Sequence, residues 1–305
     1  MRFKEKVMLK RLRPFDYLRP STLKEALQLL NDYNGEAKIL AGGTDLLVGM
    51  KEKGLSPGYV IDIKGIEGLD RISYTEKHGL TVGALATMNA IAESSYVRKQ
   101  YDFLAYAASK VASVQVRNRA TIGGNLCNAA PSAETAPALL CLDARVKLVG
   151  LKKERTVPIE EFFKGPGMTV LNGEILTEIQ VPAEKVPAER VPSKRMKGMY
   201  IKHSPRRAMD VAVIGVAAAI RPAGDGKKWE EVRIALGAVA PTPIRVPEAE
   251  ELLEKEGPTQ NAIQKAKEIA MRAASPIFDV RASAEYRNEM VGNLVQRVLQ
   301  KLAGN

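Results

Sequence analysis

Two double-glycine segments stand about eighty residues apart in this chain: Ala41-Gly42-Gly43-Thr44-Asp45-Leu46 and Ala120-Thr121-Ile122-Gly123-Gly124-Asn125-Leu126. Each joins an apolar stretch to a polar residue able to form hydrogen bonds. Each also places glycine where a side chain would block a close approach. Paired glycines let successive backbone amides turn toward one anion, which holds a phosphate without a cationic side chain. One such pair reads as a turn. Two with matched flanks, if they converge, suit the two linked anionic groups of a pyrophosphate.

The 305 residues are enough for two domains of ordinary size. With 45% hydrophobic and 27% charged residues the composition is that of a globular protein, not a disordered one. No apolar run reaches the length of a bilayer crossing. Met1 to Arg13 alternates basic residues with single hydrophobes, which does not read as a secretory signal, so the expected location is cytoplasmic.

Cysteine and histidine are scarce. Cys127 and Cys141 are the two cysteines, and His78 and His203 the two histidines. A cluster needing four thiolates cannot be held by this chain alone, and a structural Cys/His zinc site is not expected. The cysteines are expected to flank or start one helix as small, reduced, buried hydrophobes. Redox chemistry on this chain would therefore need an organic cofactor.

The net charge is +11, from 46 Lys and Arg against 35 Asp and Glu. Its distribution argues against nucleic acid. Modest basic clusters at Lys4–Arg13, Lys185–Arg195 and Lys202–Arg207 are interrupted by acids, and the 5% aromatic content offers no stacking platform. An acidic protein partner, an anionic cofactor or a solvated surface accounts for the surplus.

Periodicity predicts a helix over Ser21–Asp32, with Thr22 and Glu25 at capping-box spacing, followed by strands Ala37–Leu40 and Tyr59–Ile63 in a small βαβ-like unit. Leu80–Ala84 reads as a strand, Thr87 as a helix cap, Asp102–Ala112 as a helix and Thr135–Leu142 as a short buried helix. Ala144–Val149, Thr156–Ile159 and Ile175–Val181 read as strands of a largely antiparallel α+β region. The prolines from Pro182 to Gly198, among charged residues, suit a linker or an exposed surface segment. Strands are expected at Met199–His203, Asp210–Ile220 and Glu231–Ala240. Helices are expected at Pro247–Lys255, Gln260–Ala274 and Ala284–Leu302, the last with a stripe of Met290, Val291, Leu294, Val295, Val298 and Leu302.

No G-x-G-x-x-G follows a strand, no Walker A loop is present and no G-x-S-x-G elbow appears. The glycine segments are the specific signal. With Phe15-Asp16-Tyr17-Leu18-Arg19-Pro20 and the stretch from Tyr200-Ile201-Lys202 to Met209-Asp210-Val211-Ala212, they make the chain similar to the FAD-binding medium subunits of the molybdenum hydroxylases. That family includes the flavoprotein subunits of carbon monoxide dehydrogenase and xanthine dehydrogenase, and the resemblance spans nearly the whole chain.

The resemblance implies an α+β fold: a two-subdomain FAD-binding region of the PCMH type over 10–185, then a C-terminal domain over 195–303 with a three-stranded antiparallel sheet and helices. It implies that Ile39, Leu40, Ala41, Gly42, Gly43, Thr44, Asp45 and Leu46 form one wall of an FAD site. Thr121, Ile122, Gly123, Gly124 and Asn125 form the other. Glu134 stands where the family usually has a cofactor-contacting Asp, one methylene shorter. Leu176 is implied to line the flavin pocket, Lys202 to place a cation near the isoalloxazine ring, and Tyr200 to shield it. Read from residue type alone, Lys202 is a surface lysine on a strand. Arg206, Arg207 and Asp210 read as structural, fixing their segment by ion pairing.

The implied function is the flavin stage of an electron relay. A molybdopterin-binding large subunit acts on the substrate, and a small subunit with [2Fe-2S] clusters passes electrons to FAD, which delivers them to an acceptor such as NAD. The assembly is implied to be a dimer of heterotrimers. No side chain here is assigned a catalytic role and no metal is expected on this chain. A branch of the family, 4-hydroxybenzoyl-CoA reductase, carries an extra cluster on its flavin subunit, for which two cysteines do not suffice. Two alternatives stay open: a stand-alone FAD-dependent oxidoreductase, and a non-catalytic flavin- or nucleotide-binding assembly protein.

Overall fold

A computed structural model describes residues 11–183, 196–206, 208–224 and 228–304. Most of the proline-bearing stretch after Pro182, the first ten residues of the basic N-terminus and Arg207 lie outside the described residues.

The chain opens on a short strand, β1 (Asp16–Leu18), and turns into α1 (Leu23–Asp32) at Thr22. The Thr22 hydroxyl accepts the Glu25 amide at 3.2 Å, and the Glu25 carboxylate accepts the Ser21 amide at 2.8 Å. Strand β2 (Ala37–Leu40) leads through α2 (Leu46–Glu52) to β3 (Tyr59–Asp62). The three strands are parallel in the order β1-β3-β2, with Ala26, Leu27, Ile61 and Ile63 beneath them. The βαβ-like unit is thus present, with β1 and α2 as additions.

Strands β4 (Ile72–Thr75) and β5 (Gly79–Gly83) begin a second unit. Six helices follow: α3 (Met88–Glu93), α4 (Ser95–Gln100), α5 (Asp102–Ser109), α6 (Val114–Arg117), α7 (Ile122–Cys127) and α8 (Thr135–Cys141). Then come β6 (Arg145–Val149), β7 (Glu154–Pro158), the turn of helix α9 (Ile159–Phe162), a small ladder of β8 (Phe163–Gly165) with β9 (Met168–Thr169), and β10 (Ile175–Val181). The sheet runs β4-β5-β10-β6-β7, antiparallel throughout. Every residue of α8 is buried, as its apolar run demands. Cys127 closes α7 and Cys141 closes α8, so the two thiols do not flank one helix as expected. Both are free, and burial pushes Cys127 up to about 12 and Cys141 higher still.

The last unit is an antiparallel sheet of β11 (Lys197–His203), β12 (Ile214–Pro222), β13 (Trp229–Gly237) and β14 (Ile244–Arg245). Its four strands correct the expected three: β14 is two residues long, too short to show any alternation. Helices α10 (Pro247–Glu256), α11 (Gln260–Ala273) and α12 (Ala284–Ala303) cover one face. Alternation along β12 decides the packing. Ile214, Val216, Ala218 and Ile220 face these helices with Val291, Leu294, Val295 and Val298, whereas Ala217 and Ala219 join Tyr200 and Ala235 in the core of the second unit. The sheet is therefore buried on both faces. At this seam Gly198 lies flat on Phe103, where a Cβ would overlap the ring.

Candidate functional site

Strand β2 delivers the chain into the first glycine segment. Gly43 has φ +78°, a conformation that favours glycine. At Gly42 a Cβ would collide with the carbonyl oxygen of Arg119, so the two glycine segments meet backbone to backbone. They converge. Beside this contact runs an open cleft of about 680 Å³, lined among others by Gly42, Lys64, Arg71, Thr87, Arg119 and Thr121.

The two segments differ in what their amides do. In the second, Thr121 caps α7, its hydroxyl accepting the Gly124 amide at 3.1 Å. The Ile122 and Gly123 amides donate to Ala86 and Ala84 at 3.0 and 2.9 Å, and Asn125 donates to Thr121 at 3.0 Å. The sequence reads here as an anion-holding loop, but these amides are committed within the protein. A Cβ at Gly123 would stand 2.7 Å from the Ala84 carbonyl oxygen, so this glycine serves the approach to β5. In the first segment the amide hydrogens of Gly42, Gly43, Thr44 and Asp45 meet no acceptor among the described residues. Four successive unpaired amides around a left-handed glycine are a donor set of the kind that lines anion-binding concavities.

Around it lie the other expected residues. Ile39, Leu40, Ala41 and Leu46 are half-buried beside the segment. The Asn125 carbonyl oxygen accepts the Thr135 hydroxyl at 2.8 Å, which leaves its NH2 group as a donor. Leu176 is buried on β10 opposite Leu148. Its neighbour Thr177 accepts the Ala84 amide at 2.9 Å, which links this strand to the second glycine segment. Tyr200 is buried in the core of the second unit with no hydrogen-bond partner for its hydroxyl among the described residues, and burial raises the phenol well above its ordinary value.

Lys202 sits neither on the surface nor free. Its Nζ donates to Glu134 Oε1 at 2.7 Å, to the Asp210 carbonyl at 2.6 Å and to the Lys110 carbonyl at 3.0 Å. The two side chains are 7% and 10% exposed. Burial raises the Glu134 carboxyl, Lys202 opposes that shift, and the charge of Asp45 adds to it. Asp45 is itself raised by loss of hydration, with Lys53 opposing. Arg206 pairs with Asp210 and fixes the segment, its Nε donating at 2.8 Å.

Sequence reasoning missed Lys110 and Ala112, and gave Met209 only as part of a matched stretch. Ala112 at φ +39° and Met209 at φ +66° face each other across the seam, the Met209 amide donating to Ala112 at 3.2 Å. Lys110 and Ala112 act through backbone carbonyls, which no residue type signals. Among the described residues no group of three or more His, Cys, Asp or Glu side chains is placed to hold a metal ion.

The converged glycine segments thus lie where the parallel-stranded unit meets the antiparallel α+β unit, and the C-terminal sheet packs on the second of these. The model of an FAD binding domain in molybdopterin dehydrogenase matches residues 13–184, and that of the CO dehydrogenase flavoprotein C-terminal domain matches 199–302. The chain is 33% identical over 286 residues to the xanthine dehydrogenase FAD-binding subunit of Escherichia coli O157:H7, covering 93% of this chain and 94% of that one. It is 34% identical to the carbon monoxide dehydrogenase medium chain of Hydrogenophaga pseudoflava, covering 93% and 96%. A solved structure of carbon monoxide dehydrogenase from H. pseudoflava, lacking the Mo-pyranopterin moiety of its cofactor, superposes with a TM-score of 0.88 over 95% of this chain and 97% of that one, at 34% identity. The chain belongs to the family of FAD-binding medium subunits of the molybdenum hydroxylases.

Proposed function

We propose that this chain binds FAD between its two glycine segments and serves as the flavin stage of a molybdenum-containing dehydrogenase complex. The observation that carries the reading is the run of four unpaired amides from Gly42 to Asp45. A pyrophosphate satisfies them, and the Thr44 hydroxyl and Asn125 NH2 add donors. Ile39, Leu40, Ala41 and Leu46 give apolar contact. Gly123 acts by seating α7 against the end of β5, Gly124 by donating to the Thr121 cap, and Ile122 is fully buried behind them. The residues present therefore fit the cofactor.

Bound FAD supplies a ring that takes up electrons from one partner and releases them to another. The protein positions that ring and controls access to it. Partners of the expected chemistry are a molybdopterin-binding large subunit and a [2Fe-2S] small subunit, in a dimer of heterotrimers, with an acceptor such as NAD. The names of the relatives support this division of labour.

The test is the visible spectrum of the purified chain, followed by release and identification of the chromophore. FAD in the wild type and its loss in Gly43→Val support the reading. A folded, colourless protein that refuses added FAD overturns it. Co-purification with molybdopterin and iron–sulfur subunits supports the relay, and turnover by the isolated chain supports a stand-alone oxidoreductase.

A further inference from the structure

Three consecutive carbonyls at the seam are each taken by a different segment. The Lys110 carbonyl accepts Lys202 Nζ at 3.0 Å, that of Val111 accepts Arg117 Nη1 at 2.9 Å, and that of Ala112 accepts the Met209 amide at 3.2 Å. Two residues of this junction, Ala112 and Met209, hold a positive φ without being glycine. Such backbone is costly, and it persists where the surrounding structure over-determines it. The turn over residues 110–112 is therefore held from three sides at once.

Arg117 is the member of this junction that no opposite charge accounts for. It has no carboxylate partner among the described residues, and its Nε is buried without an acceptor. A guanidinium spent on one carbonyl adds little to the stability of a fold. Its position in the chain is more telling. Arg117 closes α6, which begins directly after the seam turn, the Ser113 hydroxyl accepting the Val116 amide at 3.3 Å. Two residues beyond Arg117, the Arg119 carbonyl rests against Gly42. One short helix thus runs from the seam to the glycine contact, and Arg117 ties its far end back to the seam.

We infer that Arg117 is a positioning residue for the cofactor: by holding the Val111 carbonyl it fixes the turn that seats Lys202, in register with the contact between Gly42 and Arg119. This rests on the FAD reading above, with Lys202 near the ring as the resemblance implies. One element then sets both ends of the site, and Arg117 acts on the ring end through the turn and not by touching the cofactor.

The experiment is the midpoint potential of the bound flavin in the FAD-loaded full chain, with the FAD dissociation constant of each variant beside it. Arg117→Met is expected to lower the potential, because an ammonium released from its seat stabilises negative charge on the ring less. It is also expected to weaken FAD binding about tenfold, within the range of coupling between residues of one network. Lys202→Met should lower the potential too, and the double variant should have the potential of Lys202→Met alone. Arg117→Lys keeps a donor for the Val111 carbonyl and should return most of the wild-type potential. A wild-type potential in Arg117→Met, or shifts that add in the double variant, overturns the inference, since a merely structural residue would change stability and leave the potential alone. If Arg117→Met does not fold, Arg117→Gln must show the same lowering, and a wild-type potential there overturns the inference equally. A wild-type chain that takes up no FAD fails the FAD reading instead, before any potential is measured.

Discussion

The carbonyl oxygen of Arg119 rests against the α-carbon of Gly42, in the space a Cβ would occupy. The contact joins the ends of two segments from different units, and neither backbone can withdraw alone. The Arg119 amide donates to the Val116 carbonyl at 2.9 Å, and the Ala120 carbonyl accepts from Met88 at 2.9 Å. Gly42→Ala must therefore part the segments. The expected cost is about 1–3 kcal/mol, the range for overpacking, together with loss of bound FAD. A thermal melt and a flavin count on the purified variant check this, and an unchanged melt with full flavin would show the contact to be slack.

The two glycines of the second segment separate cleanly. Gly123 faces Ala84, with its backbone oxygen 2.7 Å from a built Cβ, while Gly124 meets only the Thr121 hydroxyl at 2.9 Å. Gly123→Ala is expected to destabilise the fold. Gly124→Ala disturbs a cap of about 1 kcal/mol but gains about as much helix propensity, so it is expected to be near neutral in a urea melt. Thr121→Ala loses the cap without that gain and should cost about 1 kcal/mol. Equal destabilisation by the two glycine variants would contradict this assignment.

These contrasts show what the sequence makes legible. Local signals carry through: β2 and β10 have the bounds that alternation predicts, and Thr22 and Thr87 cap the helices they were expected to cap. Helix α7 was not legible, because Ile122-Gly123-Gly124-Asn125 has poor helix propensity. It is held by the Thr121 cap and by the Ala84 and Ala86 carbonyls, which belong to a distant stretch. The Lys202 pairing was hidden for the same reason. Two of its three partners are 68 and 92 residues away, and two of the three are backbone carbonyls.

Acid stability should depend on Glu174. Arg155 binds it with two hydrogen bonds, each 2.7 Å, and those bonds hold the carboxyl below its ordinary range against the effect of burial. A carboxylate lowered on folding contributes stability above its unfolded pKa, and that stability is lost as pH falls through the folded value. Glu174→Gln should therefore be less stable than wild type at pH 7 by about 1 kcal/mol, since Arg155 is partly in water. The difference should shrink toward pH 3. Melting temperatures of both proteins over this range decide it, and a gap that widens in acid would reverse the sign.

Arg287 at the start of α12 anchors the C-terminal unit to the rim of the site. It is 2% exposed, and its Nη1 donates to the Val213 carbonyl at 2.9 Å and the Ala238 carbonyl at 3.1 Å. Its Nη2 lies 2.7 Å from Asp279 Oδ1. Val213 in turn donates to His203, the residue after Lys202, at 2.9 Å, and Ala238 donates to Pro131 at 2.7 Å. Arg287→Ala takes the donor from two carbonyls, while Asp279 keeps Arg281 at 2.8 Å, so the expected cost is about 1–3 kcal/mol, that of leaving buried acceptors unsatisfied. Lysine cannot reproduce the planar fork, so Arg287→Lys should recover only part of this. Asp279→Asn leaves both carbonyl bonds intact and should cost less than Arg287→Ala. Urea midpoints of the three variants rank them, and a wild-type midpoint for Arg287→Lys would place the anchoring in the charge alone.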